Sequence, residues 1–234
     1  MRMIEPAAEA EARLRRHLML YAWFSPSFPV GGFAFSHGLE WAQECGAVRG
    51  LPELNGWIAD LIEHGSLRQD AILLAAAWRA AGAGDGLALE EIVALAAALQ
   101  PSRERFAEAS VQGQAFLTIV EAAYPAPLAT VTARHSVTLP VAVGMAGAAH
   151  GIALPDLLLG YLGGFVANLS SAAVRLGIVG QTDGQRALAA AHPAIAALAQ
   201  AAVTLTLDDL GSAALRSDLF SMQHETQYSR LFRS

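Results

Sequence analysis

Residues Leu157–Val174 run for eighteen positions without a formal charge, and this stretch limits how the chain can fold more than any other. Eighteen apolar positions are the lower bound for a membrane-spanning helix. Against a span, Asn168, Ser170 and Ser171 crowd its C-terminal half, and Pro155-Asp156 open it as a helix N-terminus opens in water. The other apolar runs, Ala71–Trp78 and Ile92–Leu99, are too short. The stretch is therefore expected to be the central helix of a soluble bundle, apolar on every side because it is surrounded. Its small-xxx-small pair, Gly160 and Gly164, is of the kind that lets a neighbouring helix come close.

The rest of the 234 residues punctuate into helices. Glu11–Phe24 ends at Ser25-Pro26 and the Pro29-Val30-Gly31-Gly32 turn. Ser36 is placed to cap Gly38–Glu44, and Gly46 to stop it. Pro52 suits the first turn of a helix to about Leu67, with Trp57, Leu61 and His64 on one face. Asp70–Ala81 continues it or begins another, and Gly82–Gly86 separates that from Leu87–Leu99. Pro101 begins a long helix to about Tyr124. Leu128–Leu139, rich in Thr and Val, is the least helical part. Helices follow at Pro140–His150, Pro155–Arg175, Asp183–Ala191 and Pro193–Leu207. Asp208–Ser234 is polar and expected to be loose at its end, with residues 218–234 as a partly flexible tail. The sum is an all-α, single-domain helical bundle of about ten helices.

Alanine is roughly one residue in five, which favours helix, and 54% of the chain is hydrophobic, more than a lone soluble monomer needs. Burial against partners or a second copy accounts for the excess. All fifteen basic residues are arginine, so the chain has no phosphate-loop lysine and no Schiff-base amine. The net charge of −6 argues against a general nucleic-acid binder. One cysteine, Cys45, forms no intramolecular disulfide; it suits a reducing compartment and reads as a small core residue. Glu5, Glu9 and Glu11 stand where a signal peptide carries cations, so a cytoplasmic protein is expected.

Three segments stand out. In the first, Ser25–Glu40, paired glycines sit among aromatics. His37, Glu40 and Glu44 recur at i, i+3 and i+7, the spacing of a helix face that could bind a metal. With His150 or His224 they would make a small metal-dependent hydrolase; as plain structure they are a solvated or interface face. The second, Arg175–Arg186, sets Gln181, Thr182, Asp183 and Gln185 directly after the most apolar helix. Helix capping explains part of that and a partner contact the rest. The third is the tail, where Met222, Tyr228, Leu231 and Phe232 are wasted on a free end, so a segment that orders on a partner is expected. No Ser/His/Asp order, H-E-x-x-H or dinucleotide fingerprint is present, and no catalytic residue, metal ligand or resident cofactor is assigned.

These segments resemble the urease accessory protein UreF family. The resemblance rests on Ser25-Pro-Ser-Phe-Pro-Val-Gly-Gly-Phe-Ala-Phe-Ser-His-Gly-Leu-Glu40, on Ala172-Ala-Val-Arg-Leu with Gly180-Gln-Thr-Asp-Gly-Gln-Arg186, and on Ser221-Met-Gln-His-Glu-Thr-Gln-Tyr-Ser-Arg-Leu-Phe-Arg-Ser234. It implies an all-α homodimer without catalytic activity. Such a protein would bridge a UreD (UreH)-type scaffold and a UreG-type GTPase, to support nickel insertion into apo-urease and modulate the GTPase. Nickel would pass through the complex, with no membrane or nucleic-acid partner. The resemblance places Arg175, Gln181, Asp183 and Gln185 toward the GTPase. It places Met222, His224, Glu225, Gln227, Tyr228, Arg230, Leu231, Phe232 and Arg233 toward the scaffold. Pro29, Gly31, Gly32, Ser36, His37, Gly38 and Glu40 form a structural or interface motif. Some relatives carry Lys where this chain has Arg175, which keeps the charge and changes the donor geometry.

Overall fold

The structure is a computed structural model that describes residues 7–132 and 136–234. Residues 133–135, inside the least helical stretch, and Glu5 lie outside the described residues. The chain is all-α: α1 (Ala7–Trp23), α2 (Leu39–Glu44), α3 (Leu51–Glu63), α4 (Ser66–Ala83), α5 (Gly86–Ala98), α6 (Arg103–Ala123), α7 (Leu139–Ala149), α8 (Leu154–Arg175), α9 (Gln181–Ala202) and α10 (Leu215–His224). Short 3₁₀ turns occupy Gly32–Ala34 and Leu207–Asp209.

Local chemistry sets most of the starts. Pro52, Pro140 and Pro155 sit in the first turns of α3, α7 and α8, where a missing N–H costs nothing. Asp85 and Ser102 cap α5 and α6 by accepting from the Ala88 and Arg105 amides. The glycine-rich stretch separates two helices as expected, though narrowly: α4 runs on to Ala83 and stops at Gly84 in the left-handed region (φ 69°), and α5 begins at Gly86.

Helix α9 is unbroken where two helices were expected: Pro193 lies inside it. Proline there removes one backbone hydrogen bond, but Ala187, Ala191, Ile195, Leu198 and Ala202 form one buried stripe packed on α8 and α3. The stripe continues through the proline, so breaking the helix would uncover half of it.

The core sits where α4, α6, α7 and α8 meet. The enclosed helix is α7, buried from Pro140 through Gly147, and α8, expected to hold that place, is only half buried. It is the one helix, among the described residues, long and apolar enough to cross a membrane, and its apolar character serves packing on α4, α7 and α9. The expected helix approach at Gly160 and Gly164 is also corrected. A Cβ at Gly160 would lie 2.5 Å from the Phe24 ring, so this notch receives an aromatic from the turn after α1. Close helix contact occurs instead at Gly144 of α7, where a Cβ would stand 2.5 Å from the Leu74 carbonyl oxygen of α4.

Candidate functional site

The first segment folds around residues that reverse the backbone. Gly31 (φ 75°), His37 (φ 55°) and Gly38 (φ 77°) are all in the left-handed region. Gly38 is also tight against α10: a Cβ there would meet the Ser221 amide nitrogen at 3.0 Å. The reversal puts His37 outside α2, so His37, Glu40 and Glu44 do not share a helix face. Glu44 is exposed, while His37 and Glu40 are buried and serve different networks. His150 lies against Trp23 instead, 5.5 Å between ring centroids. The metal-hydrolase geometry is therefore not formed, and Cys45, expected in the core, is exposed.

Glu40 binds the tail. Its Oε1 accepts the Leu231 amide at 2.6 Å, and its Oε2 accepts the Phe232 amide at 2.9 Å and faces His224 Nε2 at 3.0 Å. The other ring nitrogen of His224 meets Glu104 of α6 at 2.6 Å, and Glu104 also accepts Arg230 at 2.5 Å. Glu225 accepts the Arg103 amide at 2.8 Å and so caps α6 from across the interface. The last residues pair with the first segment: the Arg233 amide donates to Ala34 O, and the Ser36 amide and hydroxyl donate to Ser234 O. Ser36 Oγ accepts the Glu40 amide at 3.2 Å, but Ser36 is not the cap it was expected to be: the N-cap of α2 is Gly38, two residues later.

Beneath this layer lies a buried ionic cluster. Arg105 bonds Glu108 and His37 Nδ1, His37 Nε2 donates to Glu108 at 3.0 Å, and Ser234 Oγ donates to Glu108 at 2.6 Å. Burial alone would raise the Glu108 carboxyl, but Arg105 and His37, with hydrogen bonds from His37 and Ser234, outweigh it and hold it at about 2. Burial, and then Arg105, push His37 below the ordinary histidine value. The ring is thus neutral between a donor and an acceptor. Nearby, Tyr161 Oη donates to Asp70 at 2.6 Å, and burial raises Asp70 to about 6. These groups line one end of a cavity of about 190 Å³ whose walls are Trp23, Phe28 and Phe116.

The second segment divides. Arg175 leaves α8 toward the first and third segments: it donates to Phe33 O at 2.5 Å and lies 4.4 Å from the Phe232 ring centroid. Gln181, Asp183 and Gln185 stand apart on the first turns of α9, the two glutamines exposed and Asp183 paired with Arg186 at 2.8 Å. The tail divides too. Phe232, His224 and Ser234 are buried, whereas Met222, Leu231 and Tyr228 are exposed, Tyr228 fully. Met222 shares one exposed face of α10 with Leu215 and Leu219. Gln227 turns inward on Ser229 O. Pro29 is exposed, and Gly32 O accepts Asn168 of α8.

Sequence reasoning missed Glu104, Arg105, Glu108, Gln112, Asp70 and Tyr161. For Arg105, Glu108 and Gln112 the signal was present in α6, whose buried stripe reads Arg105, Glu108, Gln112, Phe116, Val120. Polar residues at core spacing imply a partner buried with them.

The UreF family model matches residues 48–192, which include the second segment. The first and third lie outside that range, while the match to the Methylobacterium radiotolerans relative runs over 98% of the chain. The chain is 52% identical over 220 residues to a protein of Methylobacterium sp. (strain 4-46) described as urease accessory protein UreF, covering 93% of this chain and 88% of that one. It is 52% identical to the protein so described from Xanthobacter autotrophicus, covering 93% and 90%. With that of Methylobacterium radiotolerans it shares 49% over 232 residues, covering 98% and 100%. With the family model matching well over half of its length and relatives near half identity end to end, the chain belongs to the UreF family of urease accessory proteins.

Proposed function

We propose that this chain is a non-enzymatic, cytoplasmic chaperone of urease maturation. It bridges a UreD (UreH)-type scaffold and a UreG-type GTPase and so supports nickel insertion into apo-urease, working as a homodimer. One observation carries the reading: the tail is held against the body by a set of buried and half-buried polar groups. Glu40, Glu104 and Ser36 each bond residues within 224–234, and Glu108 adds the Ser234 hydroxyl to its bonds with Arg105, His37 and Gln112. Buried charge is costly unless paired, and here it fixes the shape of an exposed segment. Outward, this segment and the adjoining face of α10 present exposed apolar side chains: Leu215, Leu219, Met222, Tyr228 and Leu231. Aromatic and aliphatic anchors on a rigid base are what a protein interface uses.

The roles of the tail residues therefore differ. Met222, Tyr228 and Leu231 are the contacts to the scaffold, with Arg233 beside them. His224, Glu225, Arg230 and Phe232 hold the tail in place, and Gln227 shapes its turn. On the GTPase side, Gln181, Asp183 and Gln185 are the contacts. Arg175 links the two faces by reaching to the Phe33 carbonyl and over the Phe232 ring. The test is tagged co-purification with both partners. Tyr228→Asp with Leu231→Asp is expected to lose the scaffold while helicity and melting temperature stay unchanged. Gln181→Ala with Gln185→Ala is expected to weaken GTPase capture only. Full retention of the scaffold by the folded tail variant would overturn the tail assignment.

A further inference from the structure

Two buried histidines in this chain have opposite surroundings. His37 stands between a donor, Arg105, and an acceptor, Glu108, and a neutral ring satisfies both. His224 stands between two acceptors. Glu104 meets Nδ1 at 2.6 Å and Glu40 meets Nε2 at 3.0 Å, and the ring is fully buried. A neutral imidazole has one N–H, so one of these contacts would set a lone pair against a carboxylate. Only the imidazolium donates to both.

Charge counting gives the same answer. The groups facing this ring are Glu40 from α2, Glu104 from α6 and Arg230 from the tail, with the Leu231 and Phe232 amides completing Glu40. Glu225, next to His224 on its own segment, is turned away to the Arg103 amide and side chain. Arg105 and Glu108 of α6 pair with each other and with His37. Two carboxylates and one guanidinium leave one uncancelled negative charge, which a protonated His224 removes. The carboxylates approach through different ring nitrogens, so they do not converge on a point where a metal ion could sit.

We propose that His224 is a proton-dependent clasp: charged, it ties residues 228–234 to α2 and α6, and losing its proton loosens the tail from the body. Docking of the tail is therefore stronger with the protonated ring than with the neutral one. The consequence for scaffold capture, which would weaken at alkaline pH, rests on the function proposed above; the clasp itself does not.

The test is amide hydrogen exchange on the full-length chain at about pH 6 and about pH 9, divided by intrinsic exchange rates. The Leu231 and Phe232 amides, which donate to Glu40, are expected to lose protection about tenfold or more at the higher pH, with α4 amides unchanged. In His224→Gln, protection is expected to be low and the same at both. Equal protection at both pH values in the wild-type chain overturns the clasp. Nitrogen-15 shifts of the His224 ring need no variant: both nitrogens protonated at about pH 6 supports it, and a neutral ring overturns it. Co-purification with the scaffold across the same pH range separates the two readings. A pH-sensitive tail with pH-independent capture leaves the clasp standing and removes the tail from the scaffold contact.

Discussion

Replacing Glu108 by Gln tests the buried cluster at its most connected atom pair. The carboxylate is 1% exposed and accepts from Arg105, His37, Gln112 and Ser234. Glutamine keeps the shape, loses the charge and offers an N–H₂ where four donors already point. The wild-type carboxyl is held at about 2 against an ordinary 4.5. That difference, at about 1.4 kcal/mol per unit, corresponds to about 3 kcal/mol of stability at neutral pH. Breaking a buried ion pair from one side costs about 3–5 kcal/mol in general, so the two routes agree. For a chain of this size the melting temperature should fall by about 6–12 °C. The sign follows from a depressed acid: the contribution is complete above about pH 4.5 and is lost as pH falls toward about 2. The protonated wild type then resembles the amide, and the gap between the two proteins should close. Urea and thermal unfolding followed by circular dichroism at about pH 7 and about pH 3 measure it. A gap below about 1 kcal/mol at neutral pH, or one that does not shrink in acid, would refute the reasoning.

Asp70→Asn should act in the other direction. Asp70 is raised from 3.8 to about 6, so the folded state binds its proton more tightly and wild-type stability falls as pH rises between about 4 and 6. The asparagine variant, still able to accept from Tyr161, should lack that slope and be more stable at pH 7 by up to about 3 kcal/mol, as urea unfolding would read. Gly144→Ala should cost about 1–3 kcal/mol, because its Cβ meets backbone of α4 that cannot swing away; a neutral result would contradict the close contact of α4 and α7. Phe232→Ala removes a ring that is 4% exposed beneath Arg175 and should make residues 225–234 protease-sensitive while the core melts nearly unchanged. A cleavage pattern identical to wild type would show that this ring does not anchor the tail.

Much of the helical framework was readable because it rests on local signals. Pro52, Pro140 and Pro155 marked first turns, and the apolar run ending at Arg175 marked α8. Local signals failed where packing overrode them. Pro193 does not end α9, since its buried stripe continues on both sides. Gly160 and Gly164 hold an aromatic ring and not a helix, because a loop residue, Phe24, reaches them first. The site was half legible. Apolar residues in a polar tail signalled that the tail has a surface to meet, but spacing alone does not tell which of them face inward. Phe232 and His224 turn to the chain's own α2 and α6, and Tyr228 turns out. The helical spacing of His37, Glu40 and Glu44 misled because two consecutive left-handed residues, His37 and Gly38, break the register before α2 starts.

The central claim is that this chain works by holding other proteins together. Its most direct test is reconstitution of the purified chain with a UreD (UreH)-type scaffold and a UreG-type GTPase, resolved by size-exclusion chromatography with mass determination. The account predicts one complex containing all three, and two separate partners when this chain is left out. A scaffold and GTPase that assemble equally well without it, or a chain that never co-elutes with either, would contradict it.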